Sequence, residues 1–145
     1  MIAFSFVHWL ELAALRKPSE AGQYLSEHSA PNDRIFVWGQ AAKIYLEARR
    51  RPASRYIEAA PLTGHVFGGV LPGVDTRKWI VPGAWAKLEE DFAKHPPAYI
   101  VDIQTDLLQP HPTQNFPILA KLLAEQYRPV AKTAEGVVYQ RRAAN

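Results

Sequence analysis

The chain contains no cysteine, and this absence removes several kinds of chemistry at once. Disulfide bridges, cysteine-ligated zinc sites and thiol nucleophiles are all excluded. Histidine-based metal signatures are missing as well, because the five histidines show neither H-x-x-x-H nor H-E-x-x-H spacing. The composition therefore predicts no metal site of a familiar kind.

Glycine-rich phosphate signatures are also absent. The turn after the first predicted strand reads WGQAAK and holds one glycine, whereas a dinucleotide site needs G-x-G-x-x-G. Neither G-x-x-x-x-G-K-[ST] nor G-x-S-x-G occurs. We therefore expect no nucleotide cofactor, and no other cofactor is indicated.

The chain has little excess charge of either sign. Seventeen Lys and Arg residues against fourteen Asp and Glu residues give a net charge of +3. A nucleic-acid-binding domain usually concentrates basic residues on one face, but the only runs of adjacent arginines are Arg49–Arg51 and Arg141–Arg142. We therefore expect no nucleic-acid partner.

No apolar run reaches the length of a membrane span. Residues 1–15, MIAFSFVHWLELAAL, are strongly apolar but include His8 and Glu11, and a membrane-spanning helix needs about 20 apolar residues. Two interpretations stay open: an amphipathic helix packed on the domain, or the end of a membrane helix with Trp9 at the interface. We divide the chain into an N-terminal apolar helix, residues 1–17, and a single α/β domain, residues 18–145.

Apolar strands and helical patterns alternate through that domain. Residues 33–56 predict a strand at 35–38, a helix at 40–49 and a strand at 55–59, which together form a parallel β–α–β unit. The other predicted elements are a helix ending near His28, a helix at 82–94, a strand at 98–103, a helix at 116–126 and a hairpin of residues 127–133 and 136–141. This order predicts an α/β fold: a three-layer, Rossmann-like domain with a mostly parallel sheet of about five strands and a C-terminal antiparallel hairpin.

Ligands of open α/β sheets bind beyond the carboxyl ends of the strands. This rule, with one histidine from the glycine-rich stretch at 60–82, gives these ligand-binding candidates: Trp38, Gln40, Glu58, His65, Asp102, Thr105 and Asp106. Paired carboxylates can do acid–base work or hold a divalent metal. The alternative is that Asp102 caps a turn and Asp106 is solvated. No histidine or lysine lies near them in sequence, so we predict no catalytic residue and no metal.

Three adjacent arginines, Arg49, Arg50 and Arg51, end the predicted helix at 40–49. Cations at a helix C-terminus complement the helix dipole, each by about 0.3–1 kcal/mol. The same cluster could contact a phosphate or another anionic group. Both interpretations stay open, and the three arginines are our candidates for an anionic contact.

Several segments resemble the soluble C-terminal region of polytopic membrane glycosyltransferases of the GT-C class, related to protein O-mannosyltransferases and aminoarabinose transferases. They are SEHSAPNDRIFVWG, RRPASRY, PLTGH, PPAYIVD and YRPVAKTAEGVVYQRR. The resemblance implies a non-catalytic domain on the extracytoplasmic, periplasmic face of the inner membrane.

In this family the parent protein transfers a sugar from a polyprenyl-phosphate carrier, and the catalytic carboxylate lies in an early loop between membrane helices. That loop has no counterpart in this chain, so the resemblance assigns no catalytic residue. It implies the parent's transmembrane helices as partners, with the lipid-linked sugar or the acceptor as a further contact. The alternative is a free-standing small-ligand-binding α/β domain or an enzyme of unknown activity.

Overall fold

The computed structural model describes residues 17–65, 74–105 and 111–143. Apart from Lys17, the apolar helix expected over residues 1–17 falls outside these ranges, and so does the candidate residue Asp106. The helices are α1 (Glu20–His28), α2 (Lys43–Ala48), α3 (Ala60–Thr63), α4 (Ala84–Lys94) and α5 (Pro117–Gln126), with 3₁₀ turns at Arg77–Trp79 and Thr113–Asn115. The strands are β1 (Arg34–Trp38), β2 (Arg51–Pro52), β3 (Tyr99–Ile103), β4 (Tyr127–Lys132) and β5 (Gly136–Arg141).

The five strands form one open sheet in the order β2-β1-β3-β5-β4. Strand β1 pairs in parallel with β2 and with β3, whereas β5 pairs antiparallel with both β3 and β4. The sheet is therefore mixed, and the prediction of a mostly parallel sheet was wrong. The reason is that the C-terminal hairpin supplies two full strands, so antiparallel pairings are as numerous as parallel ones. The α/β class and the number of strands are confirmed.

Helices cover both faces of this sheet because β1 alternates its side chains between two apolar clusters. Ile35 and Val37 pack with helices α1 and α2, while Phe36 and Trp38 pack with α3, α4 and α5. Successive side chains of a strand point to opposite faces, so a strand buried on both sides reads as a continuous apolar run. The segment IFVW, residues 35–38, is such a run.

The second strand differs from its prediction in both position and length. It comprises Arg51–Pro52 rather than residues 55–59, and it pairs with the first two residues of β1. The chain can enter the sheet this early because Arg49 adopts a left-handed conformation, φ 53° and ψ 42°, which ends α2 abruptly. The parallel β–α–β unit is confirmed, although its crossover is shorter than predicted.

A turn anchored by α4 then takes the chain away from the sheet. Asp91 of α4 accepts hydrogen bonds from the Ser54 hydroxyl at 3.1 Å, from the Arg55 amide at 2.8 Å, and from the Arg55 guanidinium at 2.7 Å. These bonds, led by the guanidinium, hold the pKa of Asp91 at about 2. Residues 55–59 therefore continue from a turn that is held by these hydrogen bonds to Asp91, and they do not form the predicted strand.

Candidate functional site

The connections of the sheet place the expected ligand crevice between the carboxyl ends of β1 and β3. The chain leaves β1 for β2 on one side and reaches β3 on the other side of β1. In open α/β sheets ligands bind where the strand order reverses in this way. Trp38, the last residue of β1, is in register with Asp102 of β3, so these two residues mark the crevice.

Gly39 brings the two strand ends close together. Its φ of 134° lies in a region that favours glycine, and a Cβ atom at this position would lie 2.6 Å from Cβ of Ile103. The Gly39 carbonyl also accepts a hydrogen bond from the Ala59 amide at 3.1 Å. The backbone at the start of the crevice is therefore fixed on both sides.

Asp102 is a buried carboxyl group whose hydrogen bonds are incomplete. It is 1% exposed, and its Oδ2 accepts hydrogen bonds from Gln104 Nε2 at 3.2 Å and from Thr113 Oγ1 at 3.4 Å. Its Oδ1 is also buried, and no described residue donates a hydrogen bond to it. Burial raises the pKa of Asp102 above its usual value, and the bonds from Gln104 and Thr113 oppose that rise only in part.

A cavity of about 220 Å³ lies beside this carboxyl group. It is lined by Asp102, Ile103, Gln104, Pro112 and Gln114. The lining combines two exposed glutamines with apolar wall atoms, and the carboxyl group of Asp102 is buried directly behind it. Such a mixture suits a small polar molecule, because the apolar wall excludes water while a few polar groups set the orientation.

Trp38 supports this site from the core and does not line the cavity. It is fully buried, and its indole N–H donates to the His111 carbonyl at 2.6 Å. Its ring packs edge-on against Phe116, with centroids 4.8 Å apart. The hydrogen bond ties residues 111–113 to the end of β1, and Thr113 is thereby brought to Asp102.

The remaining sequence-selected residues do not converge on the cavity. His65 is 7% exposed, and its ring lies edge-on to that of His111 with centroids 5.6 Å apart. Thr105 donates to the Glu135 carbonyl at 3.2 Å and so secures the tip of the hairpin. Gln40 is half-buried and does not line the cavity. Glu58 is also half-buried, and it does not follow the second strand as expected because β2 ends at Pro52.

Two contributors to the site, Thr113 and Gln114, were not predicted from the sequence. Gln104, two residues after Asp102, follows the predicted strand and meets the strand-end rule. Thr113 and Gln114 belong to a separate polar loop, and no local pattern relates them to Asp102. The Trp38–His111 hydrogen bond, which joins residues 73 positions apart, helps to bring them there.

The arginine cluster lies at the opposite end of the strands, where β1 begins. Arg51 begins β2 in register with Arg34, the first residue of β1. The five residues of β1 separate that end of the strands from the crevice by roughly 13 Å at the usual rise per residue. The cluster and the cavity are therefore two separate sites.

The three arginines also have different roles. Arg50 donates to Ser29 Oγ at 2.8 Å, to the Ser29 carbonyl at 2.6 Å and to the Ala48 carbonyl at 3.0 Å. It therefore bonds carbonyl groups at the ends of both α1 and α2, where helices leave acceptors unsatisfied. Arg49 and Arg51 are exposed and remain accessible to an anionic partner.

Across residues 17–65, 74–105 and 111–143, no three His, Asp or Glu side chains are grouped so that they could hold a metal ion. Over the same ranges, no helix has both the length and the apolar character needed to cross a bilayer. Comparison with models of protein families, with curated proteins and with solved structures gives no match for this chain.

Proposed function

We propose that this chain is a non-catalytic domain of a polytopic GT-C membrane glycosyltransferase that uses a polyprenyl-phosphate-linked sugar. In this proposal the domain lies on the extracytoplasmic, periplasmic face of the inner membrane and contacts the parent's transmembrane helices. We further propose that β1, β2 and β3, with helices on both faces, are the core of a Rossmann-like fold to which the hairpin is added.

The observation that carries the proposal is the structural role of the segments that bear the resemblance. The segment RRPASRY contains Arg50, which bonds two helix ends, and Arg55, which forms the turn with Asp91. The segment YRPVAKTAEGVVYQRR forms the hairpin, where Gly136 packs so closely on β3 that a Cβ atom would lie 1.9 Å from the Asp102 carbonyl oxygen. The segments that carry the resemblance therefore stabilise the fold of this domain. This role agrees with a domain that supports catalysis located elsewhere in the parent protein.

The exposed arginines give this proposal a contact that can be tested. Arg49 and Arg51 lie on either side of Arg50, whose guanidinium already bonds two helix ends. The positive charge and the several N–H donors of a guanidinium suit a phosphate group. The lipid-linked donor carries phosphate groups near the membrane surface. We therefore propose Arg49 and Arg51 as the residues that contact the lipid-linked sugar or the membrane headgroups around it.

The first test is the genomic coding sequence around this chain, read for apolar stretches of about 20 residues upstream of Met1. The second uses membranes that contain the full parent protein and measures sugar transfer from a polyprenyl-phosphate donor. Arg49→Ala combined with Arg51→Ala should reduce transfer severalfold, while Lys132→Ala, an exposed cation on β4, should not. A coding sequence without upstream apolar spans would refute the proposal.

A second candidate function is a free-standing domain that binds a small ligand, and the Asp102 cavity favours it. The unpartnered Oδ1 and the adjacent cavity are features of a binding site rather than of a scaffold alone. The test is a screen of small polar compounds by NMR against the whole chain. Shifts confined to Gln104, Gln114 and their neighbours would support it, whereas the absence of any shift would refute it.

A further inference from the structure

The carboxyl group of Asp102 is buried without a cation to balance it. Both of its hydrogen bonds come from neutral donors, the Gln104 amide and the Thr113 hydroxyl. Among the described residues, no lysine or arginine forms an ion pair with it. Buried charges in proteins are normally paired or bound to a metal, because leaving one uncompensated is costly. The missing positive charge is therefore the most informative property of this site.

The described residues that line the cavity beside Asp102 offer acceptors and no competing cation. Gln104 uses its Nε2 to donate to Asp102, so the Oε1 of the same amide can accept a hydrogen bond. Gln114 adds a second carboxamide oxygen to the lining. An anion is disfavoured here, because Asp102 is the only ionisable residue among the described residues of the lining, and it is acidic. A metal ion would need a larger set of ligands than one carboxyl group and two carboxamides usually provide.

We infer that this cavity binds a small organic cation that carries a primary ammonium group. An ammonium has three N–H donors, which match the carboxamide oxygens of Gln104 and Gln114, and its charge would lie close to the buried carboxyl group of Asp102. Its charge balances the carboxylate, and charge-assisted hydrogen bonds are about twice as strong as neutral ones. A volume of about 220 Å³ accommodates a compound of a few heavy atoms and no more than a small substituent. The inference rests on the second proposed function and names the ligand class of that site.

The experiment is an NMR titration of the ¹⁵N-labelled whole chain with two compounds of nearly equal size. Ethanolamine carries the ammonium group, and ethylene glycol replaces it with a hydroxyl. The reporters are the Gln104 amide and the indole N–H of Trp38, which donates to His111 beside the cavity wall. The indole of Trp79, which is 42% exposed in a different loop, is the internal control. We expect ethanolamine to shift the two reporters with at least a tenfold lower dissociation constant than ethylene glycol.

Three variants separate the ammonium inference from the wider proposal. Asp102→Asn keeps the shape and should weaken ethanolamine binding at least tenfold, whereas Gln114→Ala should weaken it severalfold and does not alter the buried carboxyl group. Asp75→Asn removes an exposed carboxylate elsewhere and should leave binding unchanged.

The possible outcomes are distinct. Equal affinity for ethylene glycol, or full ethanolamine binding by a folded Asp102→Asn variant, overturns the ammonium inference but leaves a small-ligand site. If Asp102→Asn fails to fold, unchanged ethanolamine binding by Gln114→Ala overturns the inference in its place. Absence of any reporter shift, both here and in the wider screen, overturns the inference and the second proposed function together.

Discussion

Asp91 provides the clearest quantitative test of how this fold is held together. Its carboxylate lies on α4, is 12% exposed, and accepts hydrogen bonds from the Ser54 hydroxyl and from both the backbone amide and the guanidinium of Arg55. Its pKa in the folded protein is held at about 2, below the ordinary value of 3.8. The perturbation that removes the charge while keeping the shape is Asp91→Asn.

The magnitude follows from linkage between protonation and folding. One pKa unit corresponds to about 1.4 kcal/mol, so a shift from 3.8 to about 2 stabilises the ionised fold by roughly 2 kcal/mol. Because the folded pKa is the lower one, this stabilisation is complete above the unfolded pKa and is lost as the pH falls from about 4 to about 2. Asp91→Asn should therefore cost about 2 kcal/mol at pH 7 and almost nothing near pH 2.

The assay is equilibrium unfolding in urea at a series of pH values, with the free energy of unfolding compared between wild type and variant. Asp75→Asn is the matched control: the pKa of Asp75 is also lowered to about 2, by Arg77, but this pair is exposed to solvent. Exposed ion pairs contribute little, so the control should change stability far less. A pH-independent loss in Asp91→Asn, or an equal loss in Asp75→Asn, would contradict the reasoning.

Four further predictions concern single positions and use the same unfolding assay. Arg49→Gly should stabilise the fold by about 0.5–1 kcal/mol, because glycine adopts the left-handed conformation without strain; destabilisation would argue that the arginine side chain itself matters. Arg50→Ala should cost about 1–3 kcal/mol through its lost bonds to helix ends, whereas the neighbouring exposed Arg51→Ala should stay within about 0.5 kcal/mol. Gly39→Ala should cost roughly 2–4 kcal/mol from backbone strain and the clash with β3, and a smaller loss would show that the strand ends can separate. Because burial raises the pKa of Asp102, wild-type stability should fall as the pH rises above the ordinary aspartate value, and Asp102→Asn should abolish that fall.

Helices and strands that depend only on residues within their own segment were predictable from the sequence. The strand at 35–38 agrees with β1 because its apolar run and Gly39 lie within the segment itself. The hairpin strands at 127–133 and 136–141 agree with β4 and β5 to within one residue, since the turn residues between them set the register. Helix α5, expected at 116–126, begins one residue later at a proline, which suits the first turn of a helix.

Elements that depend on contacts with residues far away in the sequence were not predictable. The position of β2 depends on Asp91, whose carboxylate bonds the Arg55 amide from 36 residues away. It also depends on the left-handed conformation of Arg49, which nothing in the residue type suggests, because glycine or asparagine usually occupies such positions. The expectation of a longer strand at 55–59 followed from apolar content alone. The apolar content of these residues is compatible with a turn as well as with a strand.

The candidate site shows the same division between local and distant causes. The strand-end rule identified Asp102 because the rule needs only the end of a predicted strand. The uncompensated state of its carboxyl group could not be predicted, since it depends on which side chains fail to reach it in three dimensions. The cavity likewise depends on Pro112 and Gln114, which arrive through the hydrogen bond between Trp38 and the His111 carbonyl.

The two buried aspartates show how the fold distinguishes a structural carboxylate from a candidate binding group. Asp91 receives a guanidinium, a hydroxyl and an amide, so its ionised form is stabilised and its pKa falls. Asp102 receives two neutral donors while burial dominates, so its pKa rises. The first carboxylate is paired with a guanidinium, whereas no cation among the described residues pairs with the second. Because a cation supplied by a ligand would do for Asp102 what Arg55 does for Asp91, ethanolamine should raise the stability of the wild type at neutral pH and leave Asp102→Asn unaffected.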